Sequence, residues 1–170
     1  MKKIIFTNGL ISGGILAIFL VSSMAYCYSA NNFEGNMLVG YASMILAFST
    51  IFIGIRNFRD KQSEGSIKFG AAFRIGAYIS LIASTIYVLV WLIDYYFFIP
   101  DFMDKYSVQM LKQYQASGIS ATDLSVKQAE MDMYKDMYKN PIWVVLLTYM
   151  EILPIGLVIS VISALILKRK

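Results

Sequence analysis

The sequence predicts an all-α polytopic membrane protein, a four-helix bundle with an extracytoplasmic helical hairpin between spans three and four. Three observations support this fold class. Hydrophobic residues form 58% of the chain and charged residues 15%, whereas soluble domains are about half apolar and about a quarter charged. The mean hydropathy is +0.60. The apolar residues also fall into four runs, each close to the roughly 20 residues that a helix needs to cross a bilayer.

The four runs predict spans at about residues 4–28, 37–55, 75–98 and 141–167, within a single integral membrane domain over residues 1–170. The first run could instead be a signal peptide with Ser23-Met24-Ala25 as its cleavage site. Its apolar stretch is longer than the roughly 7–15 residues usual in signal peptides, and further spans follow, so a retained helix is favoured. The amphipathic segment Ile67–Arg74 is expected to lie at the membrane interface as the lead-in to the third span.

Residues 100–140 form a polar excursion with two helical patterns, which are separated by Ala116-Ser117-Gly118. Methionines and tyrosines recur in the first pattern at spacings of three and four, which places them on one helix face. The second pattern ends in a tandem Asp-Met-Tyr-Lys repeat over residues 132–139, and residues four apart stack along a helix. The candidate partner surface consists of Met103, Tyr106, Met110, Met133 and Met137. Methionine sulfur suits Cu(I), but without His or Cys beside it a packing or partner surface is favoured, and no cofactor is expected.

The distribution of Lys and Arg predicts the orientation in the membrane. Ten of the fifteen basic residues flank one side of the predicted spans, and the other five are spread over the hairpin segment together with six acids. Cytoplasmic loops carry an excess of Lys and Arg, so both termini are expected in the cytoplasm and the hairpin outside it. Aromatic residues of the kind found in interfacial belts gather at the predicted outer interface: Tyr26, Tyr28, Trp91, Tyr95, Tyr96 and Trp143.

Several short motifs carry a family resemblance. They are Tyr41–Phe48 leading into Gly54–Asp60, Gly65-Ser66-Ile67, Phe69-Gly70, Tyr95-Tyr96, Glu151–Pro154 with Gly156-Leu157, and the ending Ser163–Lys170. Together they resemble a bacterial family of small four-span integral membrane proteins that carries only a domain-of-unknown-function label. The resemblance covers nearly the whole chain. It implies a multi-pass protein of the bacterial cytoplasmic (inner) membrane, and it supplies neither an activity nor site residues.

The composition argues against several function classes. The chain has no His, which removes the commonest general base and the commonest transition-metal ligand. Cys27 is the single cysteine, so an internal disulfide or a CxxC site is excluded. Basic residues flank apolar runs and form no stripe, so nucleic-acid binding is not expected. Because no phosphate loop, catalytic triad or metal-protease motif is present, the chain is not expected to be an enzyme.

Two acids, Asp94 and Glu151, lie within or at the edge of apolar spans, and an acid at membrane depth is a candidate functional residue. Counting about 20 residues back from Lys168 puts Glu151 roughly 4–5 Å inside the apolar layer. Pro154, three residues later, is expected to break the helix and open a polar niche. Glu151 would then be a proton or cation site. The alternative, which the sequence favours, is a carboxylate that reaches headgroup water or bonds to a neighbouring hydroxyl.

Small residues recur every four positions on three of the spans. In lipid, such rows let helices approach closely, and van der Waals packing then drives their association. Packing inside the bundle is favoured, and homo-oligomerisation through the same rows stays open. The candidate helix-packing residues are Gly9, Gly13, Gly76, Ser80, Ser84, Gly156, Ser160 and Ala164.

The favoured function is a non-catalytic accessory, assembly or regulatory subunit, whose hairpin presents its methionines and tyrosines to a membrane or periplasmic protein partner. The alternative is a small oligomeric transporter or channel that uses Glu151 as a proton or cation site. Whether Glu151 faces a polar cavity or a packed interface distinguishes the two hypotheses.

Overall fold

A computed structural model describes residues 1–33 and 37–169. Lys170, one of the basic residues in the orientation argument, lies outside these ranges. The described residues form six α-helices, with one two-residue bridge as their single β-type contact. The helices are α1 (Lys2–Ala30), α2 (Met37–Gln62), α3 (Phe69–Ile93), α4 (Phe102–Ala116), α5 (Ala121–Tyr138) and α6 (Pro141–Leu167). A π-helical turn, Asp94–Phe98, extends α3. The prediction of an all-α fold is confirmed.

Four of the helices, α1, α2, α3 and α6, are long and apolar enough to cross a membrane. The chain is therefore a multi-pass membrane protein. Two helices extend well beyond the predicted spans, since α2 continues to Gln62 and α3 begins at Phe69, whereas α6 has the predicted bounds. Most of the amphipathic segment before Ile75 is thus the first turns of α3 itself. Hydropathy detects the apolar part of a helix, whereas backbone hydrogen bonding continues through charged residues that lie in water.

The distribution of side chains across the bundle is that of a protein surrounded by lipid. Large apolar side chains on the spanning helices point outward, among them Leu10, Ile18, Leu38, Ile45, Leu46, Leu89, Met150, Val158 and Ile166. Small hydroxyl residues are buried between the helices, and several of their hydroxyls bond to backbone carbonyls. Ser12 Oγ donates to the Ala47 oxygen at 2.8 Å, and Thr50 Oγ1 donates to the Asn8 oxygen at 3.4 Å. Close packing and interhelical hydrogen bonds replace the hydrophobic effect as the force between helices in lipid.

Helix α3 lies at the centre of the bundle and packs against α1, α2 and α6. At one end, which we call the terminal end, Ile67 and Arg169 exchange backbone hydrogen bonds of 3.1 and 3.0 Å. The amino group of Met1 donates to Gln62 at the same end. The opposite end, where α4 and α5 lie, is called the hairpin end.

The small residues singled out in the sequence are all buried at contacts between helices of this chain. A Cβ atom on Gly9 would lie 2.8 Å from Ile82, and one on Gly13 would lie 2.9 Å from the Ile86 Cβ. The row on α1 is therefore covered by α3. A second copy of the chain would have to bind to other surfaces.

The hairpin of α4 and α5 folds back onto the bundle. Gly118 has a φ of 74° in the turn between the helices, where a residue without a Cβ is unstrained. Ser120 then caps α5: its Oγ accepts from the Asp123 backbone N–H at 3.1 Å and donates to the Asp123 carboxylate at 2.7 Å. Met103 of α4 and Met131 of α5 are each 7% exposed. The hairpin is thus a packed part of the fold.

Candidate functional site: a cavity at Glu151

Aromatic side chains close the hairpin end of the bundle. The Trp91 ring packs edge-on against Phe102, with ring centres 5.3 Å apart, and Tyr95 packs edge-on against Tyr138 at the same separation. The Trp91 indole N–H also bonds to the Tyr138 hydroxyl. Tyr96 donates to the Tyr138 backbone oxygen at 3.0 Å. These contacts hold the start of α4 and the end of α5 against α3.

A cluster of polar contacts holds α4 against α1, and we call it the clasp (Tyr28, Asp101 and Lys105). The Tyr28 hydroxyl donates to Asp101 Oδ1 at 2.6 Å, and Lys105 Nζ lies 2.7 Å from Asp101 Oδ2. The same ammonium lies 4.3 Å from the centre of the Tyr28 ring. Hydrogen bonds from Lys105 and Tyr28 hold the pKa of Asp101 below its usual value.

The docked hairpin encloses a cavity of about 430 Å³, which we call the aromatic chamber. Helices α1, α3, α4, α5 and α6 all contribute to its walls. The lining residues are Leu20, Met24, Tyr87, Trp91, Phe102, Met103, Tyr106, Met131, Tyr134, Tyr138, Thr148 and Glu151.

A second cavity of about 570 Å³, the apolar chamber, lies mainly between α1 and α2. Most of its lining side chains are apolar, including Leu16, Phe19, Val39 and Met44, and its few polar groups include Ser23, Cys27 and Asn32. Five residues line both chambers: Leu20, Met24, Tyr87, Tyr106 and Glu151. The two cavities therefore adjoin each other, with Glu151 on the shared wall.

Among the residues that the structure describes, Glu151 is the single charged one whose side chain lines either chamber. It is exposed to the cavity, and no described residue donates a hydrogen bond to its carboxylate or forms an ion pair with it. Four of the five hairpin lysines, by contrast, pair with hairpin acids: Lys105 with Asp101, Lys127 with Glu130, Lys135 with Asp104 and Lys139 with Asp136.

Two hairpin tyrosines of the aromatic chamber, Tyr106 and Tyr138, have raised pKa values. Burial raises the pKa of Tyr138 to about 12, and the negative charge of Glu151 adds to this rise, while the Trp91 hydrogen bond opposes it. Burial, together with the charges of Tyr114, Glu151 and Tyr134, also raises the pKa of Tyr106. These effects show that both rings lie within electrostatic reach of Glu151.

Asp94, the other acid singled out in the sequence, is not among the residues that line the two chambers. It lies in the π-helical turn after α3 and is 9% exposed. In the described part of the chain, its Oδ2 has no hydrogen-bond partner. The structure thus separates the two acids into different environments.

The expectation that Pro154 breaks the helix is wrong. Helix α6 runs without interruption from Pro141 to Leu167. Proline removes one backbone donor, but the hydrogen bonds before and after it remain. The Pro154 ring is exposed on the outer face of α6, so it displaces no core side chain. The polar environment of Glu151 comes from the docked hairpin instead.

The candidate partner surface does not form one exposed face. Met103 is buried in a hydrophobic cluster with Leu20 and Trp91, and Tyr106 lines both chambers. Met110 and Met137 are half-buried, whereas Met133 is 53% exposed. Helical spacing shows which residues share a face of α4. The aromatic side chains at the hairpin end of the bundle cover the face on which Met103 lies.

The sequence did not single out Tyr87, Met131, Tyr138 and Thr148 as site residues, and it assigned Trp91 to the interface belt. One signal was available in α6, since Thr148 and Glu151 are three residues apart and share a face. A comparable signal in α3 is the four-residue spacing of Tyr87 and Trp91. Nothing in these spacings shows that α3 and α6 bring the two pairs together. Among the residues that the structure describes, no group of three or more His, Cys, Asp or Glu is placed to hold a metal ion.

The four apolar helices and the docked hairpin define a class, the multi-pass membrane proteins with a helical bundle fold. Within that class, the family model described as Protein of unknown function (DUF4199) matches residues 7–169. The chain belongs to this family, which confirms the resemblance to a family with a domain-of-unknown-function label. No curated protein and no solved structure matches the chain.

Proposed function

We propose that this protein is a small, non-catalytic transporter or channel of the bacterial cytoplasmic membrane that binds a cation or a proton at Glu151. One observation carries the proposal: Glu151 faces a cavity and is the single charged residue on the part of its walls that the structure describes. This is the arrangement expected of a binding site, whereas a structural carboxylate is expected to lie in a packed interface. The sequence alone favours an accessory subunit over a transporter or channel, and the proposal favours the transporter or channel.

A carboxylate in a surrounding of low polarity is costly unless it has a partner. An ionised carboxylate that leaves water without a partner loses several kcal/mol or takes up a proton. Glu151 has no hydrogen bond or ion pair among the described residues, and its neighbours in the aromatic chamber are mostly aromatic rings and thioethers, together with Leu20 and Thr148. A cation that enters the chamber would supply the missing partner. An acid placed in this way is characteristic of ion and proton pathways in membrane proteins.

The orientation proposed for the protein puts both termini in the cytoplasm and the hairpin outside it. The excess of Lys and Arg at the terminal end supports this orientation. The chambers then lie in the outer half of the membrane, beneath the hairpin. A substrate would reach Glu151 from the outer face.

Flux measurements in proteoliposomes test the proposal. Vesicles are exposed in turn to gradients of protons, Na⁺, K⁺ and an alkylammonium ion, with an internal pH-sensitive dye to report proton movement and a membrane-potential dye to report movement of the other cations. We expect a flux with the wild-type protein for at least one of these, and its loss in Glu151→Gln. Asp136→Asn, which removes an acid from the hairpin surface, is the matched control and keeps the flux. Wild-type vesicles that behave as empty liposomes in every gradient would refute the proposal, and so would an unchanged flux in Glu151→Gln.

A second candidate is the accessory or assembly subunit, and the outer surface of the hairpin favours it. Val108, Val126 and Met133 are each more than half exposed in a segment that is not apolar enough to span a membrane. Exposed apolar side chains in such a segment are a typical interaction surface. If this candidate is correct, Val126→Lys and Met133→Lys would together release a partner that copurifies in stoichiometric amount, and Glu151→Gln would not.

A further inference from the structure

We propose that the ligand of the two chambers is an organic ammonium ion with an apolar chain. Its positively charged head would lie in the aromatic chamber beside Glu151, and its chain would extend into the apolar chamber. This inference rests on the proposed function, but it goes further, because a proton or an inorganic ion would satisfy that function equally well.

The walls of the aromatic chamber favour a substituted ammonium group. Six of its twelve lining residues are aromatic: Tyr87, Trp91, Phe102, Tyr106, Tyr134 and Tyr138. The face of an aromatic ring attracts a cation, most strongly for Trp, and cages of such rings recognise substituted ammonium groups. The hairpin of this chain shows the same attraction, since Lys105 lies over the Tyr28 ring and Lys127 lies 5.7 Å from the centre of the Tyr114 ring.

The common divalent cations, Ca²⁺ and Mg²⁺, match this chamber poorly. Ca²⁺ takes about six to eight oxygen ligands, and Mg²⁺ demands near-ideal octahedral oxygen geometry. The aromatic chamber offers one carboxylate, and its other side-chain oxygens belong to neutral phenols and to the neutral Thr148 hydroxyl. A substituted ammonium ion needs one negative charge and ring faces, and the chamber provides both.

The size and position of the apolar chamber suit the apolar chain of such a ligand. The chambers of about 430 and 570 Å³ each fall in the range of small-molecule sites, roughly 300–1,000 Å³. Leu16, Phe19 and Met44 supply an apolar surface, and Glu151 is the one charged residue among the described side chains that line this chamber. A molecule charged at one end and apolar at the other matches this distribution. No Lys or Arg is among the described residues that line the two chambers, so no positive charge there repels the ammonium head.

Tryptophan fluorescence can measure binding directly, because the chain contains two tryptophans. Trp143→Phe leaves Trp91 as the single reporter, on the wall of the aromatic chamber. The purified protein in nanodiscs is titrated with hexyltrimethylammonium, and the neutral probe hexanol is the comparison. We expect a saturable change with the ammonium probe and none with the alcohol. Glu151→Gln should lower the affinity for the ammonium probe by about tenfold or more, since the loss of a charge contact worth about 1.4 kcal/mol corresponds to a tenfold change in the dissociation constant.

Two pairs of variants separate recognition from folding. Tyr106→Phe keeps the ring, so its affinity for the ammonium probe should stay within about threefold of the wild-type affinity. Tyr106→Leu should lower that affinity by about tenfold because the cation–π contact is gone. Glu151→Asp keeps the charge and should retain saturable binding. In addition, the ammonium probe should slow alkylation of Cys27, which lines the apolar chamber. Alkylation at an unchanged rate despite saturation at Trp91 would overturn the placement of the chain.

The outcomes distinguish this inference from the proposed function. Equal binding of hexanol, or equal binding of the ammonium probe by Glu151→Gln, overturns the inference. Absence of ammonium binding together with a Glu151-dependent flux of protons or of Na⁺ overturns the inference and leaves the proposed function standing. Absence of ammonium binding together with absence of every cation flux refutes both.

Discussion

Ser80 Oγ and Ser160 Oγ lie 3.1 Å apart where α3 crosses α6, and each serine faces a glycine of the opposite helix. A Cβ atom on Gly76 would lie 2.7 Å from the Ser160 side chain, and one on Gly156 would lie 2.8 Å from the Ser80 side chain. Each serine also donates to a carbonyl of its own helix, Ser80 to Gly76 and Ser160 to Gly156. The four residues form a reciprocal contact that sets the distance between the two helices.

Gly156→Ala should destabilise the bundle. The added methyl group would overlap Ser80 and would lie 3.0 Å from the Phe48 ring, and overpacking of this kind costs about 1–3 kcal/mol. Adding Ser80→Gly removes the atoms that the methyl group meets, and Ser160 keeps its bond to the residue 156 carbonyl. The double variant should therefore regain much of the loss. Thermal unfolding in detergent measures both effects, and wild-type stability of Gly156→Ala alone would contradict this account.

Gly13→Ala and Gly14→Ala form a matched pair on adjacent positions of α1. A Cβ on Gly13 would press on Ile86, whereas a Cβ on Gly14 would have no neighbour within 4 Å. Gly13→Ala should lower the unfolding temperature. Gly14→Ala should leave it unchanged or raise it slightly, because Ala is favoured over Gly in a helix by up to about 1 kcal/mol. Equal effects of the two substitutions would show that α1 does not pack on α3 as described.

Cysteine labelling tests the orientation. In a Cys27→Ala background, Ser117→Cys lies at the exposed tip of the hairpin and Ser66→Cys lies exposed at the terminal end. An impermeant thiol reagent should modify the first in intact spheroplasts and the second only after permeabilisation. The reverse pattern would invert the proposed topology and put the chambers in the cytoplasmic half of the membrane.

The helices of this fold could be predicted from the sequence because their signals are local. Apolar length identifies the spans, and helical spacing identifies α4 and α5. The helix limits could not be predicted as well, since α2 continues through charged residues as far as Gln62. A membrane helix ends where its backbone finds other partners, and hydropathy does not report that.

The candidate site was only partly predictable. Glu151 stands out because it is an acid in an apolar run, but its surroundings come from five helices that are far apart in sequence. Met103 shows the same limitation, since its helical spacing fits a partner surface as well as an internal wall. Deciding between these requires knowledge that the hairpin folds back onto Trp91, and such a long-range contact leaves no periodic signal.

The clasp that holds α4 on α1 should depend on pH. Asp101 accepts from Tyr28 at 2.6 Å and from Lys105 at 2.7 Å, and these hydrogen bonds lower its pKa. A lowered pKa in the folded state adds stability above the ordinary value of about 3.9, and that stability is lost as the pH falls through the folded-state value. Undocking of α4 in acid should change the emission of Trp91, which packs on Phe102.

With Trp143→Phe and Glu151→Gln as background, which removes the titrating carboxylate from the wall that Trp91 shares, the emission should change below about pH 4. Tyr28→Phe removes one of the two hydrogen bonds but keeps the ring under Lys105, so the pKa of Asp101 rises towards its ordinary value and the transition should move to higher pH. Asp101→Asn should abolish this transition, because the titrating group is gone. Asp136→Asn, which breaks the exposed pair with Lys139 on α5, should leave the midpoint where it is. A midpoint that moves to lower pH in Tyr28→Phe would contradict the role of the Tyr28 hydroxyl in holding the hairpin over Glu151.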